Sequence, residues 1–130
     1  MNSNELERIL FVEDEADIQA VAQVALEAVG GFTVRICSSG EEALRVAEAF
    51  APQLILSDVM MPDMDGPATL IALRRLPALA DTPAIFMTAR VLPQEVEQLR
   101  ASGAMAVIAK PFDPMTLAQQ IKDIWGQSHA

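Results

Sequence analysis

The chain has 130 residues and a mass of 14.0 kDa, with 52% hydrophobic and 21% charged residues. That balance fits one globular domain, residues 1–130, and excludes disorder. A net charge of −9 argues against direct nucleic-acid binding, since phosphates would be repelled. A single cysteine (Cys37), a polar start (MNSNELER) and no apolar run near the roughly 18 residues of a membrane span point to a cytoplasmic domain without a membrane partner.

Arg8 to Val12 (RILFV) reads as a buried strand that runs into the acidic patch Glu13-Asp14-Glu15. Ile18, Val21, Ala22, Ala25, Leu26 and Val29 recur at spacings of three and four, which predicts one amphipathic helix, closed by Gly30-Gly31. Phe32 to Cys37 alternates as a second strand. Ser39 with Glu42 suits a capping box for a second helix, whose inner face carries Ala43, Leu44, Ala47 and Phe50 before Pro52 breaks it. Gln53 to Ser57 is a third strand, and a helix over about Pro67 to Leu76 follows, ended by Pro77. Ala84 to Met87 is a fourth strand. Pro93 opens a fourth helix bearing Val96 and Leu99, and Ser102-Gly103 closes it. Met105 to Ala109 is the fifth strand, and Asp113-Pro114, as N-cap and first helical residue, starts a last helix with Leu117, Ile121, Ile124 and Trp125.

Five β-α units with no linker or repeat imply a parallel five-stranded sheet covered by helices on both faces, an α/β three-layer sandwich. In open parallel sheets, sites form beyond the carboxyl ends of the strands. The residue just past each strand therefore carries information. After the first comes Glu13-Asp14, after the third Asp58, after the fourth Thr88 and after the fifth Lys110. Only Cys37-Ser38 follows the second, as a marginal strand would have it.

Taken singly, each residue has an ordinary explanation. Acidic residues favour a helix N-terminus, a strand-end threonine is common, and a lone lysine is usually solvated. Together they are coherent chemistry. Crowded carboxylates demand a cation, and an all-oxygen set suits Mg²⁺ or Mn²⁺. A carboxylate beside such a cation can attack phosphorus and form an aspartyl phosphate. Cation, hydroxyl and ammonium would then neutralise the equatorial oxygens of the moving phosphoryl group.

Through FVEDE, SDVMMPDMDG, Met87-Thr88-Ala89 and Lys110-Pro111-Phe112, the sequence resembles a response-regulator receiver domain of bacterial two-component signalling over essentially its whole length. The resemblance implies a flavodoxin-like (βα)5 fold with strand order 2-1-3-4-5. It implies Asp58 as phosphoacceptor, served by a histidine kinase, a phosphotransfer protein or a small phosphodonor. Asp14 would bind the metal directly, Glu13 through water, and Asp58 and the backbone carbonyl of Met60 would complete the protein ligands. Thr88 would donate its hydroxyl to the phosphoryl group, Lys110 would pair with it, and Lys110-Pro111 would be cis. Asp63, Asp65 and Gly66 would shape the rim. The output would be a downstream protein, or a second copy in a homodimer, on the face of the fourth helix, fifth strand and last helix. Such a domain catalyses only its own phosphorylation and dephosphorylation and is not a turnover enzyme.

Several positions depart from the family's pattern. Val107 stands where many relatives carry a switching aromatic, and the chain has no tyrosine. This favours the alternative of a receiver-like module that works without phosphorylation, whereas the intact acidic pair, Asp58, Thr88 and Lys110 oppose it. Met105-Ala106 is apolar where relatives are polar, through ordinary packing or as a docking face. Met60 and Arg90 flank the expected reaction centre, and a thioether cannot orient an attacking water, so slow self-dephosphorylation is expected. A dehalogenase-like phosphatase would want a second acid at Met60, and neither a P-loop nor a GxGxxG supports nucleotide binding. His129 reads as part of a frayed tail rather than a ligand.

Overall fold

The computed structural model describes residues 5–128, so the first four residues and His129 lie outside it. Five strands, β1 (Arg8–Val12), β2 (Thr33–Cys37), β3 (Leu54–Asp58), β4 (Ala84–Thr88) and β5 (Ala106–Ala109), form one parallel sheet in the order β2-β1-β3-β4-β5. The helices are α1 (Ala16–Gln23), α2 (Gly40–Phe50), α3 (Gly66–Arg74), α4 (Pro93–Ala101) and α5 (Leu117–Ser128). This is the flavodoxin-like arrangement that the resemblance implied. Among the described residues, no helix is long and apolar enough to cross a membrane.

Because strand side chains alternate, the sheet has two apolar faces. Ile9, Phe11, Leu54, Leu56, Ile85, Met87 and Ile108 meet Ala22, Leu26, Leu117, Ile121 and Trp125 on one side. Leu10, Val12, Ile55 and Phe86 meet Ala43, Ala47, Leu70 and Leu73 on the other. β3 lies mid-sheet and is buried at all of its positions, whereas the edge strand β2 is half exposed. Met105 and Ala106 pack against the first cluster, so the ordinary packing reading holds for them.

The first helix is not the uniform one that its spacing predicts. From Val24 to Val29 it widens into a π-helix, and the Gly30 amide donates five residues back, to the Ala25 carbonyl, at 3.1 Å. The extra residue per turn rotates the following side chains, so Val29 faces solvent while Ala25 and Leu26 stay buried. Val21 is also 44% exposed, at the carboxyl edge of the sheet. Gly31 leaves the helix with φ of 76°, the left-handed region that glycine favours.

Three further expectations are adjusted. The Ser39 hydroxyl caps α2 through the Glu42 amide at 3.1 Å, but the Glu42 carboxylate reaches past Ser39 to the Ser38 amide at 2.7 Å. A short 3₁₀ turn, Pro77–Leu79, follows α3, since proline suits a first helical position. α5 begins at Leu117 rather than Pro114: residues 114–116 form a turn that precedes the helix, and Asp113 closes that turn, accepting from the Met115 amide at 2.8 Å, rather than capping the helix itself.

Arg74, at the end of α3, ties the base of the sheet together. Its Nη2 donates to the Thr82 carbonyl at 3.0 Å and to the Gly103 carbonyl at 3.1 Å, just ahead of β4 and β5. A Cβ on Gly103, whose φ is 119°, would collide with that guanidinium.

Candidate functional site

The parallel registers bring Val12, Ser57-Asp58, Thr88 and Ala109 level at one sheet edge. Glu13, Asp14 and Asp58 consequently converge, each placing a carboxylate oxygen within 4.8 Å of the others. Glu13 is fully buried, Asp58 is 5% exposed, and Asp14 stands at the outer lip. Lys110 enters from the end of β5. Its Nζ lies 3.0 Å from Glu13 Oε1 and 3.2 Å from Asp58 Oδ1, with 15% of the side chain exposed.

Burial pushes the Glu13 carboxyl above its ordinary value, and the charge of Asp58 adds to this. The hydrogen bonds from Lys110 and from the Glu15 amide, at 3.1 Å, pull the other way without cancelling it. Burial alone would lower Lys110, but the Glu13 hydrogen bond and the two neighbouring carboxylates outweigh it and hold the ammonium above its usual range. Lys110 is therefore a permanent cation facing oxygen ligands.

Thr88 is buried at the end of β4. Its Oγ1 accepts from the Arg90 amide at 3.0 Å, which uses a lone pair and leaves the hydroxyl hydrogen to be donated. The Lys110 amide donates to the Thr88 carbonyl at 2.9 Å, locking the two strand ends side by side, and the Lys110-Pro111 peptide is cis. Met60 follows β3 in the next loop, is 65% exposed as a residue, and lines the same cleft of about 520 Å³ as Asp58, Thr88 and Lys110. Arg90 lines it too, its guanidinium 3.6 Å from Glu95 on α4.

Other groups hold this edge in place without an obvious sequence signal. Gln19 Nε2 donates to the Glu13 carbonyl at 2.6 Å and to Ser38 Oγ at 3.2 Å, bracing α1 against both loops. Ser57 Oγ donates to the Asp58 carbonyl at 2.9 Å. On the rim, Asp63 has φ of 67°, and Asp65 caps α3 through the Ala68 amide at 2.8 Å. Gly66 is required by close approach, because a Cβ there would stand 2.5 Å from the Asp58 carbonyl oxygen.

The donor set suits a small hard cation. Ligands of one octahedral Mg²⁺ stand no more than about 4.2 Å apart, and these carboxylate oxygens, all within 4.8 Å of one another, need little adjustment to meet that. When the three acids are ionised, one ammonium leaves two negative charges unbalanced, and a divalent cation would answer them. A carboxylate at Asp58, beside an ammonium and a donatable hydroxyl, is an arrangement able to accept and hold a phosphoryl group.

Comparison with known proteins places the chain in one family. Residues 9–122 match the response regulator receiver domain family. The chain is 32% identical over 122 residues to response regulator Rre1 of Synechocystis sp., covering 94% of this chain and 53% of that protein. It is 35% identical over 127 residues to the probable transcriptional regulator ycf27 of Pyropia yezoensis, covering 93% and 48%. The chain thus spans about half the length of these curated relatives. Among solved structures it superimposes on chemotaxis protein CheY4 of Vibrio cholerae with a TM-score of 0.84 at 29% identity, covering 92% and 99% of the two chains. It matches the signal receiver domain of a histidine kinase from Syntrophus aciditrophicus with a TM-score of 0.78 at 33% identity, covering 93% and 91%. The fold of five parallel strands in the order 2-1-3-4-5 is thus one found in solved receiver domains. The chain belongs to the response regulator receiver domain family of two-component signalling.

Proposed function

We propose that this chain, with residues 1–130 acting as one receiver unit, is a phosphoacceptor switch in which Asp58 takes a phosphoryl group from a histidine kinase or a phosphotransfer protein. The observation that carries this reading is the Lys110 ammonium held between Glu13 and Asp58 at 3.0 and 3.2 Å. Such a cation stands where charge must be balanced once phosphorus is bound.

Asp14, Asp58, the Met60 carbonyl and, through water, Glu13 would hold Mg²⁺, with Mn²⁺ as a substitute. The cation would supply charge neutralisation on the phosphoryl oxygens. Asp58 then provides the attacking oxygen, Thr88 donates its hydroxyl to a phosphoryl oxygen, and Lys110 pairs with another. The Arg90 amide is bonded to the same oxygen, so a movement of Thr88 toward the phosphoryl group would carry segment 89–92 and α4 with it. Phosphorylation thereby shifts the population of the face formed by α4, β5 and α5, which a downstream protein or a second copy reads. Val107 rules out an aromatic switch at its own position, leaving Thr88 as the mover. The buried, unpaired thiol of Cys37 suits a reducing compartment, the cytoplasm.

The test is intact mass after incubation with Mg²⁺ and acetyl phosphate, with Asp58→Asn in parallel. A single phosphoryl gain that needs Mg²⁺ and vanishes in the variant is expected. No gain, repeated with a panel of histidine kinases, would leave a receiver fold that signals by binding alone.

A further inference from the structure

Beside Asp58 the cleft is not polar throughout. Ile18 and Val21 sit three residues apart on α1, so they share one helix face, and that face forms one wall. Phe112, directly after the cis peptide at Pro111, forms another, and the Met60 thioether adds a third apolar surface. At about 520 Å³ the space lies in the ~300–1,000 Å³ range of small-molecule sites, larger than a phosphoryl group needs. Val21 is 44% exposed and Met60 65% exposed. Neither side chain is consumed by the core, and phosphoryl transfer to Asp58 gives neither side chain a task.

We infer that this apolar shelf receives the leaving group of a small phosphodonor and selects a flat, aromatic one, so that an aromatic acyl phosphate phosphorylates Asp58 faster than acetyl phosphate does. The inference rests on the reading of Asp58 as phosphoacceptor. An in-line transfer places the leaving oxygen opposite the Asp58 carboxylate, with the rest of the donor pointing out of the charged floor toward the shelf. A ring set between the aliphatic face of α1 and the Phe112 side chain is removed from water and stacks on an aromatic partner, whereas a methyl group covers far less of both walls. In the step itself, an Asp58 oxygen bonds to phosphorus as the bond from phosphorus to the acyl oxygen breaks. The electron pair departs with the carboxylate, and no proton has to move. Glu15 and Asp17 also line the cleft. They act alike on two acyl phosphates of equal charge, so comparing such donors isolates the apolar contact.

Acetyl phosphate and benzoyl phosphate are compared at equal, subsaturating concentrations with Mg²⁺, following phosphoryl gain by intact mass. Each rate is divided by that donor's hydrolysis rate without protein. The expected preference for benzoyl phosphate is about tenfold, falling to about twofold in Val21→Asn and in Phe112→Ser. Equal normalised rates in the unaltered chain would overturn the inference, and so would a preference that survives both substitutions. Gain from a histidine kinase but from neither donor would also overturn the inference, whereas no gain from either donor, from phosphoramidate or from a panel of histidine kinases would bring down the phosphoacceptor reading instead.

Discussion

Lys110 Nζ stands 3.0 Å from Glu13 Oε1, although 97 residues of chain separate the two. The pair forms because β1 and β5 both end at the same sheet edge, and it places a cation against a carboxylate with no solvent exposure of its own. Removing the lysine therefore leaves a buried acid beside Asp58 with no ammonium. At pH 7 without Mg²⁺, Lys110→Met should cost about 3 kcal/mol in urea unfolding. Glu13 already has its folded pKa raised by burial. Its contribution is thus favourable below the unfolded value and is lost as pH rises through the folded one. Losing Lys110 raises that folded value further, so the deficit of the variant should shrink as pH is lowered toward 4.5. A deficit independent of pH would contradict this account.

Mg²⁺ should stabilise the folded chain without any phosphodonor, because the unfolded chain cannot assemble the three carboxylates. At a hundredfold excess over its dissociation constant the gain is about 2.7 kcal/mol, read as a rise in melting temperature. Asp14 is exposed, so Asp14→Asn should fold normally yet lose most of that rise. An unchanged rise in Asp14→Asn would place the cation elsewhere.

Met60 sets the expectation for the lifetime of the phosphorylated form. Its thioether lines the cleft beside Asp58 and offers no hydrogen bond to an attacking water. After donor removal, phosphoryl loss followed by intact mass should be slow. Met60→Asn should accelerate it by about tenfold, the modest end of what a positioned polar group contributes. A half-life of seconds in the unaltered chain would defeat the idea.

Gly66→Ala tests the loop that carries Asp58. The added methyl would stand 2.5 Å from the Asp58 carbonyl oxygen, a backbone atom that yields only by moving the acceptor itself. A loss of about 1–3 kcal/mol in stability and a slower phosphoryl gain from acetyl phosphate should appear together. Full stability with full labelling would show that the loop relaxes freely.

The strand ends were legible because the code there is short-range: an apolar run stops, and the next residue must lie at the sheet edge. That rule placed Glu13, Asp14, Asp58, Thr88 and Lys110 on one edge, as the registers have it. The widening of the first helix over Val24–Val29 was not legible, because Ala25, Leu26 and Val29 satisfy α-helical spacing equally well. Tertiary packing, not propensity, decides there. The carboxamide of Gln19 reaching the Glu13 carbonyl was hidden for a related reason, as a glutamine on an outer helix face carries no mark of its partner. Glu42 shows the limit of a motif: the box pattern located the cap correctly but missed by one residue which amide its carboxylate would take.

Arg74 fastens the chain just ahead of β4 and of β5 with a single guanidinium, and the Met105 amide adds a third tie there, to the Ala84 carbonyl at 2.8 Å. The far ends of the same two strands carry Thr88 and Lys110. The pair is therefore pinned at its amino end by a side chain and, among the described residues, joined at the chemistry only by the strand ladder and the Lys110 amide. A displacement of Thr88 would then be taken up at the carboxyl end, by the segment that follows it, rather than by sliding the two strands past each other.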